Sequence, residues 1–294
     1  MEIIDALKKK RPNLSEKSLK AYGSTLGSLF KKVFPDTKLK LSKFKETNTI
    51  MEFLKDLEPN KRKSVLSALF VLTNKSAYKT QMLEDVNNYN NNVSKQEKTE
   101  AQEANWVNQS DIKELLDKLK KKVSPLFKET KFKNKDYQDL QDYVLLALMS
   151  GAYIPPRRSM DYTEFKISNV DKDVDNYLEG DKLVFNKYKT SKAYGEQEVT
   201  IPKELKTILT KWIKINPTEY LFFDNNKNKL TSSKVTNRLN KIFDKKVSVN
   251  MLRASFLTDK YGESIDIKKA LAKDMKMMGS STAQQNHYIK DQEE

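Results

Sequence analysis

Cysteine is absent from the 294-residue chain, so neither a disulfide nor a thiolate metal site can belong to its chemistry. Histidine occurs once, as His287, which removes every metal site built from several imidazoles. No run approaches the ~20 consecutive apolar residues that a membrane-spanning helix requires. The opening stretch MEIIDALKKKRP lacks the charged-then-apolar layout of a secretory leader. These absences lead to the expectation of an intracellular, non-secreted protein with no membrane partner, no metal and no cofactor. Arginine is scarce as well. Only Arg11, Arg62, Arg157, Arg158, Arg238 and Arg253 stand among 55 basic residues.

What the chain has in abundance is lysine. The formal net charge is +15, with 37% hydrophobic residues, enough for real cores. An excess of positive charge this large points to an acidic partner, chiefly nucleic acid. The alternative is a lysine-rich solvated surface with no partner. Lysine serves as a point charge almost everywhere, so each arginine marks a place where the planar five-donor fork is needed.

Hydrophobic spacing divides the chain. Residues 1–86 read as a small basic helical bundle. The stretch Ser15–Val33 opens with Ser15 and Ser18 as caps and Glu16 as an early acid, and then repeats Leu19, Tyr22, Leu26, Leu29 and Phe30 at helical intervals. Further helices are expected over Thr49–Asp56 and Asn60–Thr73. Residues 87–105 (NNYNNNVSKQEKTEAQEAN) are polar and nearly free of large apolar side chains, and read as a linker between domains. From Trp106 a second domain is expected to run through residue 294. Its helices fit Ser110–Lys122, Tyr137–Ser150 (buried and central), Pro202–Ile215, Ser232–Lys245, Asn250–Tyr261, Ile267–Met275 and about Ser281–Lys290. Its strands fit Tyr162–Ile167, Lys182–Phe185 and Glu198–Ile201. The fold class is therefore mainly α (α+β): a helical bundle, then a mixed domain with one small antiparallel sheet.

Four fragments in the second domain carry chemistry. In order they are Pro155-Pro156-Arg157-Arg158-Ser159-Met160-Asp161, Tyr188-Lys189-Thr190-Ser191-Lys192, Asn250-Met251-Leu252-Arg253, and Met277-Met278-Gly279-Ser280-Ser281 leading to Tyr288. In this order and spacing the chain resembles the tyrosine recombinase (phage integrase) family. That family carries an arginine after the buried helix, a lysine in a β-hairpin, a His-x-x-Arg helix start, a late His or Trp, and a nucleophilic tyrosine near the C-terminus. The Pro-Pro-x-Arg and Tyr-Lys-Thr wording resembles in particular the recombinases of virophages and large DNA viruses. The resemblance covers nearly the full chain, because the N-terminal bundle and the following linker are similar to the family's core-binding domain.

The chemistry that the resemblance implies is DNA strand cleavage and rejoining. Attack on a phosphodiester gathers negative charge on a pentacoordinate phosphate, which positioned cations or a metal must stabilise. With no metal cluster evident in the sequence, arginine must do it. By resemblance Arg158 and Arg253 contact the scissile phosphate, Asp161 braces Arg158, and Lys189 protonates the departing 5′ oxygen. Tyr288 attacks to give a 3′-phosphotyrosyl bond. Arg157 is the rival of Arg158, although the R-x-x-D spacing favours the latter. Lys187 and Lys192 compete with Lys189 and can instead hold the DNA backbone, as can Arg157. In the bundle Lys20, Lys61, Arg62 and Lys63 are candidates for backbone contacts, which give affinity but no sequence preference. A lysine near ~10.4 and a phenol near ~10 both need cationic neighbours or burial to work at neutral pH. The resemblance further implies double-stranded DNA as partner, a homotetramer on paired sites, and a location wherever that DNA lies (host cytoplasm, nucleus or virus factory).

The chain departs from the family at two places. Asn250 stands where the family has histidine; it can hydrogen-bond a phosphate oxygen but cannot exchange a proton in a useful range. Gly279 stands where His or Trp is expected, with Ser280 beside it as a substitute donor. His287 precedes Tyr288 directly, and adjacent helical residues point different ways, so it reads as a bystander or DNA contact. Two alternatives follow: a type IB topoisomerase with the same chemistry, or a DNA-binding relative that has lost catalysis.

Overall fold

The computed structural model describes residues 2–280. The expected helix at Ser281–Lys290, with His287 and Tyr288, lies outside the described residues. The chain separates into two compact units, Met1–Lys98 and Thr99–Glu294, each with its own core.

The first unit is a bundle of α1 (Glu2–Lys10), α2 (Glu16–Val33), α3 (Thr47–Leu54), α4 (Pro59–Thr73) and α5 (Ser76–Ser94). The Ser15 hydroxyl caps α2 by accepting from the Ser18 amide at 3.2 Å, and the stripe Leu19, Leu26, Leu29 and Phe30 is buried. Pro59 occupies the first turn of α4, where its missing N–H costs nothing. Burial lifts the Tyr78 phenol to about 12, and its hydroxyl donates to the Phe44 carbonyl at 2.9 Å.

The segment expected as a linker is mostly helical. α5 continues to Ser94, and α6 (Glu100–Asn105) follows with a Thr99–Gln102 capping box. Tyr78 and Asp85 anchor the first half of α5 in the bundle. Once a helix is nucleated, each further residue adds a hydrogen bond at little cost, so the exposed Asn-rich residues extend it without a core of their own. The division between units falls at Lys98.

The second unit is built around α8 (Asn134–Met149), buried almost continuously from Leu140 to Met149. One face of α7 (Gln109–Val123) lies against it through Ile112, Leu116 and Val123; Asn108, not Ser110, is the cap of α7. α11 (Lys203–Ile215) adds Leu205, Ile208, Leu209 and Trp212 to the same core. α12 (Ser232–Phe243), α13 (Val249–Tyr261) and α14 (Ser264–Met277) complete the described helices of this unit, together with the short α9 (Ser159–Thr163) and α10 (Ser191–Tyr194).

The sheet is small and antiparallel, in the order β1 (Tyr177–Glu179), β2 (Lys182–Phe185), β3 (Gln197–Thr200). The strand expected at Tyr162–Ile167 is absent; β1 takes its place in the sheet. Residues 159–163 form α9, and Phe165 and Lys166 make only isolated bridges. The physical reason lies in the spacing of the aromatics. Tyr162 and Phe165 both pack on Phe185, with ring centroids 5.9 and 6.0 Å away. Residues three apart share a face on a helical turn but not on a strand.

Candidate functional site: an arginine cavity in the second unit

The segment that carries the first arginines leaves α8 through a sharp turn. Gly151 has φ +87°, and a Cβ there would lie 2.5 Å from the Phe256 ring on α13. Only glycine combines that backbone with that close approach, so the turn seats the segment directly against α13. The Tyr153 hydroxyl donates to Glu204 on α11 at 3.1 Å, Ile154 is buried, and Pro155-Pro156 restrict the backbone before Arg157. α13 is held at two further points. Ser248 caps it, accepting from the Met251 amide at 3.3 Å, and the Gln109 amide bonds the buried Ser255 hydroxyl at 3.1 Å.

Between these elements lies a cavity of about 380 Å³ lined by Arg157, Arg158, Asp161, Tyr188, Gln197 and Arg253, among others. Arg158 and Arg253 are thus brought together across 95 residues of sequence (253 − 158). Neither guanidinium has a hydrogen bond or ion pair with any described residue.

The braced arginine is Arg157, not Arg158. Its Nε donates to Asp161 Oδ2 at 2.9 Å and its Nη1 to Gln197 Oε1 at 3.0 Å. Its guanidinium lies 4.0 Å from the Phe185 ring centroid and 5.2 Å from that of Tyr188, a favourable placement for a cation on aromatic faces. The i,i+4 relation across the start of α9 brings Arg157 and Asp161 together, whereas the R-x-x-D pattern alone pointed to Arg158. Asp161 is 2% exposed at its side chain, and its Oδ1 has no hydrogen-bond partner among the described residues. Burial raises its pKa, against the opposing charges of Arg157, Arg158 and Arg253. Three guanidiniums therefore face one carboxylate, and the cavity keeps a net positive charge.

The hairpin wall is held from below. Glu164 accepts from Lys187 and Lys229 at 2.8 and 2.7 Å. Burial alone would raise its pKa, but the two ammonium groups hold it below the usual carboxylate range. Lys187 is therefore paired with an acid, although its side chain stays exposed. Lys189 is exposed in the turn between the cavity-lining Tyr188 and Thr190, but does not itself line the cavity. Lys192 is exposed on α10. The Tyr188 hydroxyl donates to the Gly195 carbonyl at 2.8 Å, tying the turn to the return strand.

Asn250 is exposed in the first turn of α13 and does not line the cavity. Gly279 ends α14 with φ +70°. Its amide reaches the Lys276 carbonyl at 3.1 Å, and the Ser280 amide reaches that of Met275 at 2.8 Å. This is the double bond pattern of a Schellman cap, and it explains glycine at that position through backbone geometry. In the first unit, Arg62 is occupied internally. It makes two bonds to the fully buried Asp85, at 2.9 and 2.6 Å, and one to the Lys55 carbonyl at 2.8 Å. Lys63 sits 3.9 Å from the Tyr89 ring centroid, while Lys20 and Lys61 are exposed.

Sequence reasoning treated Tyr188 and Thr190 only as the frame for Lys189, and passed over Tyr194 and Gln197, which also line the cavity. An aromatic inside a polar loop was the available signal for Tyr194. A larger hollow of about 660 Å³ runs along α11 beside Lys203, Lys206, Lys211 and Lys214, but it holds none of the residues the four fragments singled out. Among the described residues no helix is long and apolar enough to cross a membrane.

No protein-family model matches the chain, and no curated protein matches it by sequence. Solved structures with a similar fold do exist. Lambda integrase bound to DNA aligns over 90% of this chain and 87% of its own, with a TM-score of 0.48 and 16% identity. A lambda integrase tetramer bound to a Holliday junction covers 88% and 72%, with a TM-score of 0.43 and 13% identity. XerA recombinase covers 87% and 82%, with a TM-score of 0.37 and 12% identity. These neighbours are tyrosine recombinases.

Proposed function

We propose that the protein is a tyrosine recombinase that cuts and rejoins double-stranded DNA without a metal, with Tyr288 as nucleophile. The observation that carries this reading is the meeting of Arg158 and Arg253 in one cavity, with neither bonded to a protein acid among the described residues. Two such forks suit the non-bridging oxygens of one phosphodiester. Arg157 and Asp161 serve as the support beneath them.

In the proposed reaction the Tyr288 phenolic oxygen attacks phosphorus and loses its proton to solvent water, from which Lys189 is later reprotonated. The bond to the 5′ oxygen breaks, and Lys189 supplies the proton that makes the leaving group a 5′ hydroxyl. A 5′ hydroxyl from the same or another strand then attacks the phosphotyrosine and restores the phenol. Lys189 is exposed beside the cavity, within the turn that a bound duplex would press upon. Asn250 supplies at most a hydrogen bond, and Ser280 is the remaining donor near the end of α14. Lys20, Lys61 and Lys63 in the bundle, with Lys192 on the hairpin, would meet the DNA backbone. A homotetramer on paired sites and a viral or mobile-element role are the finer parts of the proposal, by analogy with the tetramer on a Holliday junction described for lambda integrase.

The test is covalent trapping on nicked suicide duplexes. The account expects a protein–DNA adduct from the native protein and its loss in Arg158→Ala and Arg253→Ala variants that still fold. Unimpaired adduct formation by both variants would overturn the role of the cavity. Site-independent plasmid relaxation by a monomer would favour a type IB topoisomerase. DNA binding without any adduct would mark a relative that has lost catalysis.

A further inference from the structure

Tyr194 is the feature of the cavity that strand cleavage does not use. It stands at the end of α10, between β2 and β3, and is 69% exposed. A singly exposed aromatic needs no explanation on most surfaces. This one lines the same cavity as Arg158 and Arg253, and its ring and hydroxyl make no hydrogen bond or ring contact among the described residues. Its mounting is nonetheless firm: the Tyr188 hydroxyl holds the next residue through the Gly195 carbonyl at 2.8 Å, and the Tyr194 amide closes onto the Thr190 carbonyl at 3.2 Å.

We infer that Tyr194 is a stacking platform for a nucleobase adjoining the phosphate held by Arg158 and Arg253. The inference rests on the proposed function and sharpens it by naming the state of the DNA that the cavity takes. Cations bind the backbone without regard to whether the bases are paired. A protein aromatic can stack face to face only on a base that has left its own stack. The cavity, at about 380 Å³, lies in the range of sites that enclose a small ligand, so a phosphate and the edge of its nucleotide both find room. A protein partner on Tyr194 is disfavoured by the unpaired arginines alongside, which a neutral or basic protein surface would leave buried without counter-charge. The DNA bound here is therefore locally unstacked at the base beside the scissile phosphate.

The test compares two single-stranded 12-mers, one of mixed sequence and one with an abasic sugar–phosphate backbone throughout, bound to the full chain and its variants. Native protein and Tyr194→Phe should prefer the base-bearing strand, and Tyr194→Ala should lose roughly tenfold of that preference, one stacked base. Affinity for the abasic strand should be the same in all three. Because Tyr194 is exposed, its replacement should leave the melting temperature unchanged. Equal preference in Tyr194→Ala and native protein overturns the inference, as does Tyr194→Phe behaving like Tyr194→Ala, which would assign the effect to the hydroxyl. Arg158→Ala and Arg253→Ala report separately on the underlying reading. If neither weakens binding to the abasic strand, the cavity is not a phosphate site, whatever Tyr194 does.

Discussion

The arginines divide by their partners. Arg62, Arg157 and Arg238 each pair with a carboxylate, namely Asp85, Asp161 and Asp142. Arg158 and Arg253 pair with none among the described residues and share a cavity. The same residue type therefore predicts opposite phenotypes. Arg62→Ala leaves the buried Asp85 carboxylate without its partner, which should cost about 3–5 kcal/mol, read as a fall in melting temperature. Lys61→Ala, on the exposed face, should change stability by under about 0.5 kcal/mol and act only on DNA affinity. If Arg62→Ala melted like the native protein, the assignment of Arg62 to the bundle would be wrong. Glu164 gives a pH-dependent case. Its pKa is held below the usual range by Lys187 and Lys229, so its contribution is present above the ordinary glutamate value near ~4.3 and disappears as pH falls through the depressed folded value. Melting curves of native protein and Glu164→Gln should differ at neutral pH and converge in acid; a gap that persists in acid contradicts the pairing. The residue scale is also where sequence reading reached its limit. It named Arg158 and Arg253, which the fold brings to one cavity, but it paired Asp161 with Arg158 where the structure pairs it with Arg157, because a spacing rule cannot see that Arg157 turns back onto the Phe185 face.

Most of the longer helices were legible from their apolar residues, although α1, which buries Ile3 and Leu7, was not singled out. α2, α4, α8, α11 and α13 fall within a few residues of their expected spans, since burial of an apolar stripe, or for α8 of nearly its whole second half, decides their structure. Two segments misled for different reasons. Residues 162–167 are rich in β-favouring side chains, yet tertiary packing of Tyr162 and Phe165 on Phe185 selects a helical turn. Residues 87–94 have no apolar stripe, yet they extend a helix already nucleated in the bundle. The turn after α8 belongs to this scale as well. Gly151→Ala should destabilise the second unit by about 1–3 kcal/mol from its backbone conformation alone, with the clash against Phe256 added. Combining it with Phe256→Ala should remove only the clash. Denaturant midpoints of the two single variants and the double measure this; simple additivity would show that the Cβ does not meet the ring.

At the scale of the whole molecule the net charge of +15 predicts affinity dominated by the DNA backbone. The logarithm of the binding constant should fall linearly with the logarithm of salt, by about 0.9 for each phosphate neutralised. Lys20→Ala and Lys61→Ala should each reduce that slope by about one unit at most. A salt-independent affinity would remove the electrostatic role assigned to the lysines. Composition made this much visible from the start. It did not reveal which cations are engaged internally, because Lys187 and Arg62 differ from their neighbours only in the acids that folding brings beside them.

The central claim is that DNA becomes joined to Tyr288. The most direct measurement is peptide mapping by mass spectrometry of the adduct trapped on a nicked suicide duplex. The account predicts one modified peptide bearing a phosphotyrosyl nucleotide at Tyr288, absent from Tyr288→Phe. An adduct mapped to another residue, or none under conditions where the protein binds the duplex, would contradict it.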